Sequence, residues 1–135
     1  MNAIFSVAPM MNWTNRHCRY FMRLLSPSAF LYTEMITAAA IKYNDSARFL
    51  GYSNEEHPLA LQLGGNDPQL MANAASKAHF YKYDEININV GCPSDKVQSG
   101  QFGACLMASP TIVSKCYKAM AEATDIPISI KTRIG

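Results

Sequence analysis

The sequence predicts an α/β domain: a partial (β/α)₈ (TIM) barrel that supplies roughly its first five strands. Three observations lead there. Apolar stretches of strand length alternate with stretches of helical period in the order βαβαβαβαβ, and helices between successive strands imply parallel pairing. Each predicted strand also carries its unusual residues at its C-terminal end: Pro9-Met10-Met11, Thr33-Glu34, Gln62-Leu63-Gly64-Gly65, Asn89 to Pro93, and Lys131-Thr132-Arg133. In a barrel those ends ring one mouth, where active sites sit; an open doubly wound sheet gathers them at one switch point instead. Finally, 135 residues make one ordinary domain, whereas a complete barrel takes about 250.

The elements follow in order. "AIFSVA" (3–8) reads as a short buried strand. Trp13-Thr14-Asn15 leads into the helix "RHCRYFMRLL", with Cys18, Phe21, Met22 and Leu25 on one face, and Ser26-Pro27-Ser28 stops it. "AFLYTE" (29–34) is the second strand and "ITAAAIKY" (36–43) a short helix. The polar, turn-rich segment 43–58 reads as a long connection. "LALQL" (59–63) is the third strand, closed by Gly64-Gly65. Asp67-Pro68 gives an N-cap followed by proline in the first helical turn, and Leu70, Met71, Ala74, Ala75 and Ala78 form that helix's apolar face. "EININV" (85–90) alternates cleanly, Ile86, Ile88 and Val90 to one side and Asn87 and Asn89 to the other. Ser109-Pro110 starts a helix with Ile112, Val113, Cys116, Tyr117 and Met120 on one face, and "IPISIK" (126–131) is the last strand.

Composition narrows the classes. Hydrophobic residues make up 49%, which excludes a disordered chain. No apolar run is long enough for a membrane span, and "MNAIFSVAPM" lacks the pattern of a signal peptide, so a cytoplasmic location is expected. The net charge of +2 neither demands nor excludes a nucleic-acid partner. Cys18, Cys92, Cys105 and Cys116 form no C-x-x-C pair and no zinc-ligand spacing; no metal is expected. Three of them read as small buried hydrophobes.

Cys92 stands apart. It sits at a strand tip before Pro93, which restricts it to an extended backbone, and after Gly91, which permits close approach. A free cysteine, with a pKa near 8.5, is mostly a neutral thiol at neutral pH and suits the role of proton donor; a tight βα turn that merely contains a cysteine is the alternative. Asn89 lies on the inward side of its strand, where an amide can read the edge of a nucleobase or bind a neighbouring loop. Gln62 is a second inward amide. Lys131 ends the fifth strand, where a lysine needs an anionic or hydrogen-bonding partner; a flavin, a phosphate or Glu34 would serve. "SGQFGA" (99–104) reads as a mobile loop over the mouth, with Cys92 on one flank and Cys105 on the other.

Together "VAPMMNWTNRHCR", "YTEM", "LQLGG", "NINVGCPSDKVQSGQFGACLM" and "IKTRIG" resemble the tRNA-dihydrouridine synthases, most closely the bacterial A subfamily, with the GCPS-D-K-V block as the specific mark. Asn12 and Asn15 depart from the aspartates expected there. The resemblance implies reduction of the C5–C6 double bond of uridine in tRNA, with FMN as cofactor and NADPH as electron source. It assigns Cys92 as the acid that protonates C5, Pro9, Met10, Met11, Gln62 and Lys131 to the flavin, and Asn89 and Arg133 to the substrate. It implies no stable protein partner. It also implies that residues 1–135 are the N-terminal part of an FMN-binding barrel domain, that the rest of the barrel and a helical tRNA-binding domain are absent, and that this piece alone is inactive. Two other classes remain: a flavin-dependent barrel oxidoreductase acting on a free pyrimidine, and a non-catalytic truncated chain.

Overall fold

The computed structural model describes residues 5–134. Its strands are β1 (Ser6–Val7), β2 (Phe30–Tyr32), β3 (Ile36–Thr37), β4 (Leu59–Gly64), β5 (Glu85–Val90) and β6 (Ile128–Thr132). All pair in parallel in the order β1-β2-β4-β5-β6, with the short β3 added to the end of β4, and the sheet curls into a half-barrel. Residues 3–4 of the first predicted strand and Gly135 lie outside the described residues.

Alternation gives the sheet two faces of opposite character. In β4 and β5, Leu61, Leu63, Ile86 and Ile88 are fully buried beneath the helices. The residues between them face the concave side, where Tyr32, Glu85, Asn87, Ser129 and Lys131 from three strands line a common hollow. The register fixes the neighbours: Gln62 opposes Asn87, Asn87 opposes Ser129, and Asn89 opposes Lys131. The fold therefore carries its apolar core outside the sheet and a polar stripe inside it.

The helices are α1 (Arg16–Leu25), α2 (Ala38–Tyr43), α3 (Ser46–Leu50), α4 (Pro68–Phe80), α5 (Asp95–Ser99) and α6 (Pro110–Ala123). Helix α4 starts as expected: Asp67 Oδ1 accepts from Gln69 N and Leu70 N, with Pro68 in the first turn. Met71, Ala74, Ala75 and Ala78 are buried, and the small residues let α4 lie close on the sheet. On α6, Cys116 and Met120 are buried, whereas Ile112 and Tyr117 stand 37% and 40% exposed.

Two expectations fail on the β1 side. Helix α1 turns only part of its expected apolar face to the core: Met22 packs against it and Cys18 is half-buried, but Phe21 and Leu25 are 57% and 66% exposed. Its inward residue is Arg19, whose Nε lies 2.5 Å from Glu56 Oε2, with the two side chains 7% and 0% exposed. Arg19 Nη1 also donates to the Thr14 carbonyl, and Arg23 donates to the carbonyls of Ser26, Pro27, Glu56 and Pro58. The segment 43–58 is likewise no bare connection. Asp45 caps α3, Leu50 is fully buried, and a 3₁₀ turn at Asn54–Glu56 delivers the Glu56 carboxylate, which also accepts from Ser53 N. Without its arginine, that carboxylate would be a buried unpaired charge.

Candidate active site at the mouth of the half-barrel

The C-terminal ends of the strands surround a cavity of about 890 Å³. Pro9, Met11, Gln62, Asn89, Cys92, Lys131 and Arg133 line it. Of the residues singled out from sequence, Met10 alone is missing from the lining. Its carbonyl accepts from Trp13 N and Thr14 N while its own N–H donates to Thr14 Oγ1, so its backbone builds the turn that leads into α1. Asn12, Met35, Thr37, Lys96 and Phe102 join the wall without having been singled out for it.

Asn12 has φ +66°, a left-handed conformation that asparagine tolerates better than most residues, and its N–H donates to Glu34 Oε1 at 2.6 Å. Glu34 is therefore engaged by the turn between β1 and α1. The described residues contain two ion pairs, Arg19–Glu56 and His57–Asp84, so Lys131 has no carboxylate partner among them. Asn15, the other departure from an expected aspartate, caps α1 through its Oδ1.

The Cys92 turn is held from three sides. From below, Asn89 Oδ1 accepts from Gly91 N at 3.1 Å and from Cys92 N at 2.9 Å. From β6, Arg133 Nε donates to the Gly91 carbonyl at 2.5 Å. From above, Ala104 N donates to the Cys92 carbonyl at 2.9 Å. The half-buried thiol lies 3.5 Å from Ser94 Oγ. Asn89 is thus chiefly engaged in shaping this turn. Its Nδ2 spends one N–H on Gln62 Oε1 at 2.9 Å and keeps the second for a carbonyl placed in the cavity.

The segment 99–104, expected to be a mobile loop, runs from the end of α5 into a 3₁₀ turn at Gly103–Ala108, and both pieces are docked through the buried Val97 and Leu106. Gly103 sits at φ +69°, and a side chain there would meet Val97 Cγ1 at 2.4 Å and the Cys92 carbonyl at 2.6 Å. Only glycine lets the two segments close on each other. Cys105, read as buried, is exposed; Cys18 is half-buried; Cys116 is buried, and burial pushes its thiol pKa up.

The cavity's electrostatics are one-sided. Lys96, Lys131 and Arg133 line it, and no aspartate or glutamate does. Its walls are otherwise apolar (Pro9, Met11, Met35, Phe102) or amide-bearing (Gln62, Asn89). A half-buried thiol, two amides and three cations around an apolar slot suit a planar, polar-edged, anionic ligand. Among the described residues no group of three or more acidic, histidine or cysteine side chains is placed to hold a metal ion, and no helix is long and apolar enough to cross a membrane.

Residues 6–135 match the family model described as dihydrouridine synthase. A tRNA-dihydrouridine(20/20a) synthase from Xanthomonas axonopodis pv. citri is 60% identical over 130 residues, covering 96% of this chain and 39% of the relative. The protein of the same name from Escherichia coli K12 is 59% identical over 131 residues, 97% of this chain and 38% of its own length. The one from Salmonella typhi is 58% identical over 131 residues. The chain spans less than half the length of these curated relatives.

Proposed function

The chain belongs to the dihydrouridine synthase family, and from that premise we propose that it forms the acid-bearing part of an active site that reduces uridine in tRNA to dihydrouridine. The observation that carries this reading is a thiol fixed at a strand end over a cavity lined by cations and free of carboxylates. Such a site attracts a polyanion and offers one thiol. The names of the relatives point to positions 20 and 20a of the tRNA as the target. The same reading implies a cytoplasmic location, with tRNA as the macromolecular partner.

The residues fit a flavin mononucleotide. Pro9, Met11, Met35 and Phe102 offer apolar walls for a planar ring, and Lys131 offers a positive charge with no carboxylate partner in the described chain. When bound there, FMN would supply the hydride chemistry for C6 of the base, with NADPH as the electron source, because no side chain can. The protein's own part is the proton and the placement. Cys92 delivers its thiol proton to C5 from the opposite face of the base. Asn89 offers its remaining N–H to a uracil carbonyl, and the Nη atoms of Arg133 reach the substrate while its Nε holds Gly91. The uridine must leave its stack to enter, at a few kcal/mol.

The test is to graft residues 5–134 into the full-length Escherichia coli relative and purify the product. The expected result is a visible flavin spectrum and formation of dihydrouridine in unmodified tRNA. Reduction of free uracil with no action on tRNA would overturn the substrate, and a colourless protein would overturn the cofactor.

A further inference from the structure

We propose that Asn87, which is not part of the cavity wall, is a positioning residue for the Cys92 turn and acts through a one-way chain of side-chain hydrogen bonds crossing three strands. The chain can be followed from its upper end. Gly91 N–H and Cys92 N–H can only donate, so the atom that faces them is Asn89 Oδ1. That leaves Asn89 Nδ2 to donate to Gln62 Oε1 at 2.9 Å. Gln62 Nε2 then donates to Asn87 Oδ1 at 2.7 Å, and Asn87 Nδ2 donates to Ser129 Oγ at 2.7 Å. Ser129 passes its own hydrogen to Glu85 Oε1, which also accepts from the Tyr32 hydroxyl at 3.2 Å.

Every amide in this chain is therefore oriented from both ends: by two backbone donors above and by a carboxylate acceptor below. Turning over any one of them sets two N–H groups or two oxygens against each other. Gln62 and Asn87 are 1% and 2% exposed, so water cannot repair such a fault, and bonds in series strengthen one another where solvent is excluded. Asn87 is the link through which the carboxylate end of the chain reaches Gln62. Its two polar atoms are both engaged within it, one toward β4 and one toward β6. Asparagine is also a poor strand residue, and the pairing of β5 with its neighbours is already set by backbone register. What the side chain adds is a fixed orientation for Gln62, hence for Asn89, hence for the backbone that carries the thiol.

The hydrogen-bond chain stands on geometry alone; only the consequence for turnover rests on Cys92 being the acid. The decisive readout is accordingly the thiol itself. The rate of Cys92 alkylation by iodoacetamide is measured by mass spectrometry relative to Cys18 on α1, in this chain and in the full-length graft, for wild type, Asn87→Leu and Ser129→Ala. A loosened turn exposes the half-buried thiol, so Asn87→Leu raises the Cys92 to Cys18 ratio by about fivefold, the scale of one lost hydrogen bond. Ser129→Ala moves it the same way by less, and it decides the question if Asn87→Leu does not fold. An unchanged or lower ratio in the folded variants overturns the proposal, even if the melting temperature falls, because a purely structural amide would lower stability alone. In the graft, Asn87→Leu lowers kcat and leaves KM for tRNA in place. If the alkylation ratio shifts but Cys92→Ala retains full turnover, the positioning stands and the role of Cys92 as acid falls.

Discussion

The half-barrel contains two polar clusters built on opposite terms. Beside α1, Arg19 and Glu56 face each other at 2.5 Å, and the hydrogen bonds around them end on Thr14, Ser53 and nearby carbonyls. That cluster is closed: it takes its charges out of water and balances them internally. At the mouth, Lys96, Lys131 and Arg133 face a cavity with no carboxylate in its wall. The first arrangement spends its ion pair on itself, and its one orphaned donor among the described residues, Arg23 Nε, is buried rather than aimed at a cavity. The second leaves charge and hydrogen-bonding capacity aimed at space, which a fold does not need and a ligand does.

Substitutions sharpen the contrast, the largest effect coming at the open cluster. In the full-length graft, Cys92→Ala lowers dihydrouridine formation by about 10²–10⁴, the range for loss of a general acid, while flavin stays bound. If Cys105→Ala has that effect instead, the acid has been misassigned. The closed cluster answers in stability alone. Glu56→Ala strands Arg19 and costs about 3–5 kcal/mol in urea unfolding, whereas Arg19→Met combined with Glu56→Leu stays close to neutral. A double variant as unstable as the single one would mean that the pair does more than neutralise itself.

Lys131→Met returns to the mouth. It weakens flavin binding by about tenfold, the scale of a charge-assisted hydrogen bond, with little change in melting temperature. Unchanged affinity with lower stability would place Lys131 among the structural groups. The smallest effect lies at the foot of the inner stripe. Burial, then the neighbouring Glu85, pushes the Tyr32 phenol pKa from 10.0 up to about 12. Because the unfolded chain ionises first, this contribution is intact below pH 10 and lost as pH rises to about 12. Tyr32→Phe should flatten that decline in an alkaline unfolding series.

Legibility in the sequence divided along a similar line. The strand 85–90 and the start of α4 at Asp67-Pro68 follow from local rules, alternation and capping, and both appear where expected. The face of α1 does not. Its apolar residues mark one side, but the arginines at 16, 19 and 23 mark another by the same helical spacing, and along that side Arg19 is buried, Arg23 half-buried, and Arg16 reaches Ser53 at the surface. Nothing local to α1 reveals a carboxylate 37 residues away, although three arginines in helical register are a signal that could have been weighed. The places of Lys96 and Phe102 in the wall were likewise hidden, because α5 is too short to show a period and Phe102 lies in the link that follows it. Asn89 was found, but its engagement with its own turn depends on two backbone donors that only the folded loop brings into reach.

That no carboxylate is among the residues lining the cavity bears on how a polyanion would find it. The chain's net charge is only +2. Three of its positive charges line the cavity, so the rest of the molecule sums to −1. Positive charge is therefore concentrated at one place on the molecule, and a phosphate chain that nears the cavity meets a converging field. Such a distribution orients an encounter without making the whole surface sticky, and its influence fades beyond about 8 Å at physiological salt.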